Sequence, residues 1–198
     1  MTGPDAAARP RRAPRPLDAA RLDELALAYV ARFATSAGKL SAYLARKLRE
    51  RGWDGPGQGG DAAAAVVARF VAAGYVDDEA FARARAHSLQ RRGYGARRIA
   101  GALDQAGIAG DTARAALPGV AAARQAALAF ARKRGFGPFA RTAVPRERPA
   151  DPAAARALRE KQVAAMLRAG HPLDSARKLV DAPDVDTAEA WAAAVDDE

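Results

Sequence analysis

VDDEAFARARAHSLQRRGYGARRIAGALDQAGI, residues 76–108, is the stretch on which the reading of this chain turns. It divides into two helical segments around Gly93-Tyr94-Gly95. Asp77 and Asp78 open the first, where a short acid both caps the helix and complements its dipole. Gly107 closes the second, at the position where a left-handed residue ends a helix. Between Arg83 and Arg98 stand six arginines (Arg83, Arg85, Arg91, Arg92, Arg97 and Arg98) and no acid. A specific turn word and a dense positive charge fall in one short segment.

Moving outward, the end of this stretch recurs. Leu103 lies four residues before Gly107, Leu48 four before Gly52, and Met166 four before Gly170. Each glycine is followed by a larger residue (Trp53, Ile108 or His171) and then by another apolar segment (Val66–Val71, Ala113–Leu117, Ala176–Val180). Recurrence at intervals of 55 and 63 residues predicts a tandem helical repeat whose units bury their faces against one another.

Upstream, Asp18 begins a helix with Leu22, Leu25, Tyr29 and Phe33 at helical spacing. Thr35 or Ser36 caps a second, whose stripe is Leu40, Leu44 and Leu48. That second segment also carries Lys39, Arg46, Lys47, Arg49 and Arg51 against the single acid Glu50. The glycine-rich run Gly55–Gly60 reads as a flexible linker. It is no phosphate loop, because no Gly-Lys-Ser/Thr follows and no strand precedes it. Asp61 is the expected cap of a third helix with Val66, Val67, Phe70 and Val71 on its buried face. Downstream, helices are expected over Ala121–Lys133, Ala153–Ala169 and Asp174–Val180, with a loop over Val144–Pro152. Arg124–Arg148 holds seven basic residues and one acid, and Asp181–Glu198 holds seven acids and no base. Trp191 marks part of that acidic segment as able to dock as a short helix. The expected organisation is a disordered basic arm over 1–16, repeats over 17–76, 77–120 and 121–182, and an acidic tail over 183–198.

Composition points the same way. Apolar residues make up 49% of the chain but are largely alanine, and aromatics only 6%, so close helix packing is favoured over a thick sheet core. The formal charge is +9, and 27 of the 32 basic residues are arginine. Such a chain suits anionic partners, nucleic acid or an acidic protein surface. Arginine's planar fork bonds phosphate and carboxylate alike, so charge alone leaves the two open. A basic helix face also serves simply as a solvated surface. With no cysteine, disulfides and thiolate chemistry are excluded. No apolar run approaches the roughly 20 residues of a membrane span. No apolar segment follows the basic N-terminus as in a secretory signal. The expectation is a cytoplasmic monomer without cofactor.

Catalysis finds no support in the residues. Two histidines, His87 and His171, stand apart, and no cluster of ligand type suggests a metal. His171 follows a repeat glycine, as Trp53 and Ile108 do, which makes packing its expected role. The acidic pair Asp77-Asp78 is read as capping. A helix-turn-helix over Phe81–Ala106 is the competing reading, a DNA-binding repressor. Its second helix offers Arg97 and Arg98 only at the start, however, and Ala100, Gly101 and Ala102 cannot read base edges.

Taken together, Gly74-Tyr75-Val76-Asp77-Asp78, Phe81-Ala82, Gly93-Tyr94-Gly95 with Arg98-Ile99, Leu103 and Gly107-Ile108 resemble the RecX regulators of the RecA recombinase. Ser36, Leu40 and Leu44 extend the resemblance into the first repeat. Phe136-Gly137, Lys161 and Arg168-Ala169-Gly170-His171 extend it into the third. Leu89, Ala96 and Lys39 stand where the family commonly has arginine, proline and glutamate. The resemblance implies an all-α fold of three tandem three-helix repeats in a curved rod. It implies a non-enzymatic protein that binds the RecA–DNA filament and restrains its recombinase, ATPase and coprotease activities. The residues expected to touch the partner or DNA are Arg83, Arg91, Arg92, Arg97 and Arg98, with Arg46, Lys47 and Arg49 as a second patch.

Overall fold

The structure, a computed structural model, describes residues 15–140 and 151–194. The basic arm expected over 1–16 and the loop expected over 144–152 therefore lie almost wholly outside the described residues, as do the last four residues of the acidic segment. Among the described residues the chain is all-α: ten α-helices and one 3-10 turn, with a lone bridge between Leu17 and Trp53. It forms two compact units, residues 1–76 and 77–198.

The first unit holds α1 (Ala19–Val30), α2 (Ala37–Arg51) and α3 (Gly59–Ala72). Asp18 accepts a hydrogen bond from the Arg21 N–H at 2.8 Å, and Ser36 one from the Lys39 N–H at 3.3 Å. Each satisfies an N–H that a helix start leaves without an intrahelical partner. Leu22, Ala26, Leu40, Leu44, Val66 and Phe70 meet in one core. Phe33, read at helical spacing, and Val71, expected on a buried face, both turn outward. Phe33 lies beyond the end of α1 and is 56% exposed, its ring resting on Tyr29 at 5.3 Å. Val71 follows the buried Phe70 by one residue, a rotation of about 100° that carries it to solvent.

The glycine run is not a linker. Trp53 folds back over it, so that a Cβ on Gly55 would lie 2.5 Å from the indole, and one on Gly59 would lie 3.0 Å from both the indole and Leu48. Packed this way, the chain enters α3 already at Gly59, with Gln58 as the residue before it. Asp61 therefore sits in the first turn, where it complements the dipole, and not at the cap. The Leu17 N–H donates to the Gly52 carbonyl at 3.0 Å and the Asp54 N–H to the Leu17 carbonyl at 2.8 Å, tying the entry of the unit to the end of α2.

The second unit holds α4 (Asp78–Arg91), α5 (Ala96–Asp104), α6 (Gly110–Ala115) and α7 (Val120–Arg134). After the 3-10 turn Gly137–Phe139 come α8 (Pro152–Arg168), α9 (Leu173–Val180) and α10 (Val185–Ala193). Asp77 caps α4, accepting from the Ala80 N–H at 2.8 Å. Helices α4–α6 close over Ala82, Ala86, Leu89, Ile99 and Leu103. Helices α7–α10 close over Leu128, Phe130, Val163, Met166 and Leu179, and Tyr94 packs against both clusters. The expected boundary at 182/183 cuts through the latter cluster. Ala188 and Ala192 form a small apolar edge that lets α10 lie on α7, and Gln125 donates to the Ala192 carbonyl at 2.9 Å. Asp184 caps α10 through the Thr187 N–H, a bond that holds its carboxyl below the usual aspartate value. The Arg132–Glu189 ion pair adds a link between α7 and α10.

Five helices stop in one way. The N–H of the residue after the glycine returns to a carbonyl five residues earlier: Tyr75 to Phe70, Tyr94 to Leu89, Ile108 to Leu103, Phe136 to Ala131 and His171 to Met166. The glycine N–H meanwhile closes on the carbonyl three residues before it, and every one of these glycines has positive φ. This is the Schellman stop. The end of α2 differs: Gly52 donates to the Leu48 carbonyl at 2.8 Å and then leaves in an extended ψ toward Leu17.

Candidate functional site

The turn between α4 and α5 is seated on the turn between α8 and α9. The Gly95 N–H donates to the Ala169 carbonyl at 3.0 Å and the Arg97 N–H to the Gly170 carbonyl at 3.3 Å. A Cβ on Gly95 would lie 2.4 Å from the Gly170 oxygen, and one on Gly170 would lie 2.4 Å from the Arg98 nitrogen. Only two glycines let the backbones come this close. His171 completes the joint. Its side chain is 1% exposed, its Nε2 lies 2.9 Å from the Gly93 carbonyl, and its ring packs 5.6 Å from that of Phe130. Burial pushes its pKa below the ordinary 6.5, against a smaller opposite pull from the Gly93 carbonyl. The neutral ring with Nε2–H donating to Gly93 is the form this geometry suits. Packing is thus the role of His171, and its packing holds two helical turns together.

Beside the joint opens a groove of about 660 Å³. Arg85 and Arg92 come from α4 and its end, Tyr94 from the turn, Arg97 and Arg98 from the first turn of α5, and Arg168 from the last residue of α8. No acid lines it, and among the described residues none of the five arginines has an ion-pair partner. The Arg92 and Arg98 guanidiniums lie 5.3 and 5.6 Å from the centre of the Tyr94 ring, within reach of its π face. Arg97 and Arg98 also stand at the positive end of the α5 dipole, so their charge adds to it. The arrangement concentrates positive potential in a concave surface.

The expected contact residues divide accordingly. Arg92, Arg97 and Arg98 are brought together in the groove. Arg83 and Arg91 do not line it, and Arg83 turns back one helical turn to Glu79 at 3.3 Å. Arg85 and Arg168 complete the groove and were not among the expected contacts. Arg85 lies seven residues before Arg92 and so shares its helix face, a spacing visible in the sequence. Arg168 arrives from a different helix, and only the fold places it. In the first unit, Lys47 and Arg46 share Glu50 at 2.6 and 3.6 Å. Hydrogen bonding from Lys47 holds Glu50 below the ordinary carboxylate value, with the charges of Lys47, Arg46 and Arg51 assisting against burial. Arg46 and Lys47 also face Tyr43, at 5.6 and 5.9 Å, and Tyr43 stacks on Tyr29 at 4.3 Å. Arg49 is exposed on the same helix.

The start of α5 does not stand free, as the reading helix of a helix-turn-helix does. The Gly170 carbonyl occupies it and Arg168 flanks it. Among the described residues no three acids or histidines gather as metal ligands would, and no helix is long and apolar enough to cross a membrane.

Comparison with known proteins bears on the same region. A family model described as the second three-helix domain of RecX matches residues 77–117, the span of α4–α6. The regulatory protein RecX of Myxococcus xanthus (strain DK1622) is 31% identical over 174 residues, covering 85% of this chain and 88% of that protein. The crystal structure of RecX from Lactobacillus salivarius aligns with a TM-score of 0.60 over 82% of this chain and 94% of that one. At 15% identity this last likeness speaks for the all-α fold.

Proposed function

The chain belongs to the RecX family of regulatory proteins, and on that premise we propose that it regulates the RecA recombinase by binding its filament on DNA. Bound there, it restrains ATP hydrolysis, strand exchange and coprotease activity, in recombinational repair and in control of the SOS response. It does so by occupancy and not by chemistry of its own. The observation that carries the reading is the groove of five arginines without an acid, built across the Gly95–Gly170 joint. A recombinase filament offers DNA phosphates and acidic protein surface along a repeating groove, and arginine binds both. A rigid helical body lodged there hinders the subunit movements that each round of ATP turnover requires.

An ATPase assay with recombinase and single-stranded DNA tests this. Stoichiometric protein is expected to lower the rate, and co-sedimentation to place it on the filament. An unchanged rate at stoichiometric protein, with none in the filament pellet, overturns the proposal.

A further inference from the structure

We infer that α10 is a displaceable occupant of a helix-docking face on α7, and that this face accepts an acidic amphipathic helix of a partner protein in its place. The observations on α7 and α10 alone carry this, independently of the regulator reading.

First, the core beneath α10 is built without it. The large buried side chains Leu128, Phe130, Val163, Met166, Leu179 and Val180 all come from α7–α9. Helix α10 adds the methyls of Ala188 and Ala192 and a half-buried Trp191. Helices α1–α3 and α4–α6 each surround a core with three helices, so α10 is a fourth on a three-helix plan. Second, the face it covers has the chemistry of a recognition surface. Arg124, Leu128 and Arg132 follow one another at i, i+4 and i+8, a stripe of α7 with an apolar centre and a cation at each end. Helix α10 answers this stripe in the antiparallel sense. Glu189 pairs with Arg132, the Ala192 carbonyl accepts from Gln125 at 2.9 Å, and the Ala194 carbonyl accepts from Arg124 at 2.8 Å. Arg124 thus meets the negative end of the α10 dipole, and it also lies 5.6 Å from the centre of the Trp191 ring. Third, the hold is light. The Arg132 and Glu189 side chains are 48% and 44% exposed, and ion pairs so exposed contribute little. A helix of nine residues does not persist alone in water, so α10 owes its form to its seat. Fourth, the hinge is in place. Asp181 is held to α8 by the Arg159 guanidinium, whereas Asp184 caps α10 itself through the Thr187 N–H. The exposed Pro183 lies between these two anchors, so α10 swings away with its cap intact while α9 stays. Residues 183–198 carry six acids and no base, and α10 is therefore the template of its own competitor: an acidic helix with an alanine edge and one aromatic anchor. Helix α10 remains closed in most molecules, and a partner helix captures the minority in which it is open.

Two measurements on the full-length protein test this. In amide exchange followed by mass spectrometry, α10 is expected to exchange at least about tenfold faster than α9, through an opening smaller than unfolding of the unit. Equal rates in the two helices overturn the inference. The second measurement is anisotropy of a fluorescein-labelled synthetic peptide of residues 183–198. Wild-type protein is expected to bind it weakly, because α10 occupies the face. Ala188→Arg with Ala192→Arg puts long charged chains where two methyls are buried and lifts α10 off, which a red shift of Trp191 emission reports. That variant is expected to bind the peptide at least about tenfold more tightly than the wild type. Adding Arg132→Glu to it weakens the peptide, and a peptide carrying Glu189→Lys recovers the binding. No gain in the released variant overturns the inference. A scrambled peptide of the same composition that binds as well also overturns it, since that assigns the contact to charge alone. Should the released variant fail to fold, the exchange rates of the wild type decide. No recombinase takes part, so the outcome here and that of the ATPase assay are independent.

Discussion

Residues 39–51 and 83–98 look alike as strings of charge, yet the fold treats them oppositely. On α2 the basic residues stay on one helix. Glu50 takes up Arg46 and Lys47, and the same two cations rest against Tyr43. From α4 and α5, three of the expected arginines converge with Arg85 and Arg168 on a groove that holds no acid. A charge run becomes a site when a second element brings cations to it and no carboxylate accompanies them. Otherwise it remains a solvated, partly neutralised face.

The most forceful way to break this contrast is at the joint. Gly95→Ala puts a Cβ against the Gly170 carbonyl, and overpacking between two backbones is expected to cost the second unit about 3 kcal/mol. Gly52→Ala, at the end of the basic helix in the first unit, meets no neighbour and suffers only its positive φ, about 1–2 kcal/mol. Urea unfolding followed by Trp191 for the second unit and by Trp53 for the first, each with the other tryptophan replaced by phenylalanine, reads both. Equal costs would mean that the joint does not organise the groove.

An intermediate effect comes from pH. Both histidines lie in the second unit, and His171 has a folded pKa lowered by burial. Its neutral form is favoured by folding. The associated stability is complete above the ordinary value of 6.5 and is lost as pH falls from there through the folded value. Unfolding midpoints reported by Trp191 should fall in this window. His171→Gln, which keeps a donor toward Gly93, should remove the histidine contribution to the slope. A wild-type slope in that variant would remove His171 from the account.

The smallest effect sharpens the other side of the contrast. Glu50→Gln frees Arg46 and Lys47 and makes the first patch more like the groove. Low-salt oligonucleotide affinity should rise by no more than about twofold, since exposed pairs are weak. A rise of about tenfold or more, beyond what releasing an exposed pair provides, would make the two segments equivalent.

Much of the fold was legible because helix ends are local events. Asp18, Ser36 and Asp77 cap where their short acceptors reach the next N–H groups, and Gly107 and Gly170 stop their helices. The same locality also misled. The pattern of apolar residue, glycine and larger residue is how five of these helices end, so its recurrence at Gly74, Gly93 and Gly135 reports stops as well as repeats. Gly52, one of the three positions that suggested the period, ends its helix differently. The groove was legible by half. Arg92, Arg97 and Arg98 lie close in sequence, but Arg168 is set beside them by contacts between distant turns, which no periodicity encodes. Likewise Trp53 turns a glycine run into a packed corner, because an indole needs flat backbone to lie upon.

The contact between His171 and Gly93 spans 78 residues. At about 5–20 residues per second, synthesis brings out α4 and α5 some 4–16 s before the turn that seats them. For that interval the nascent arginines lack Arg168 and the second wall, on a ribosome whose RNA is itself a polyanion. The two joint glycines therefore set a time as well as a geometry: the groove exists only once the last third of the chain has been made.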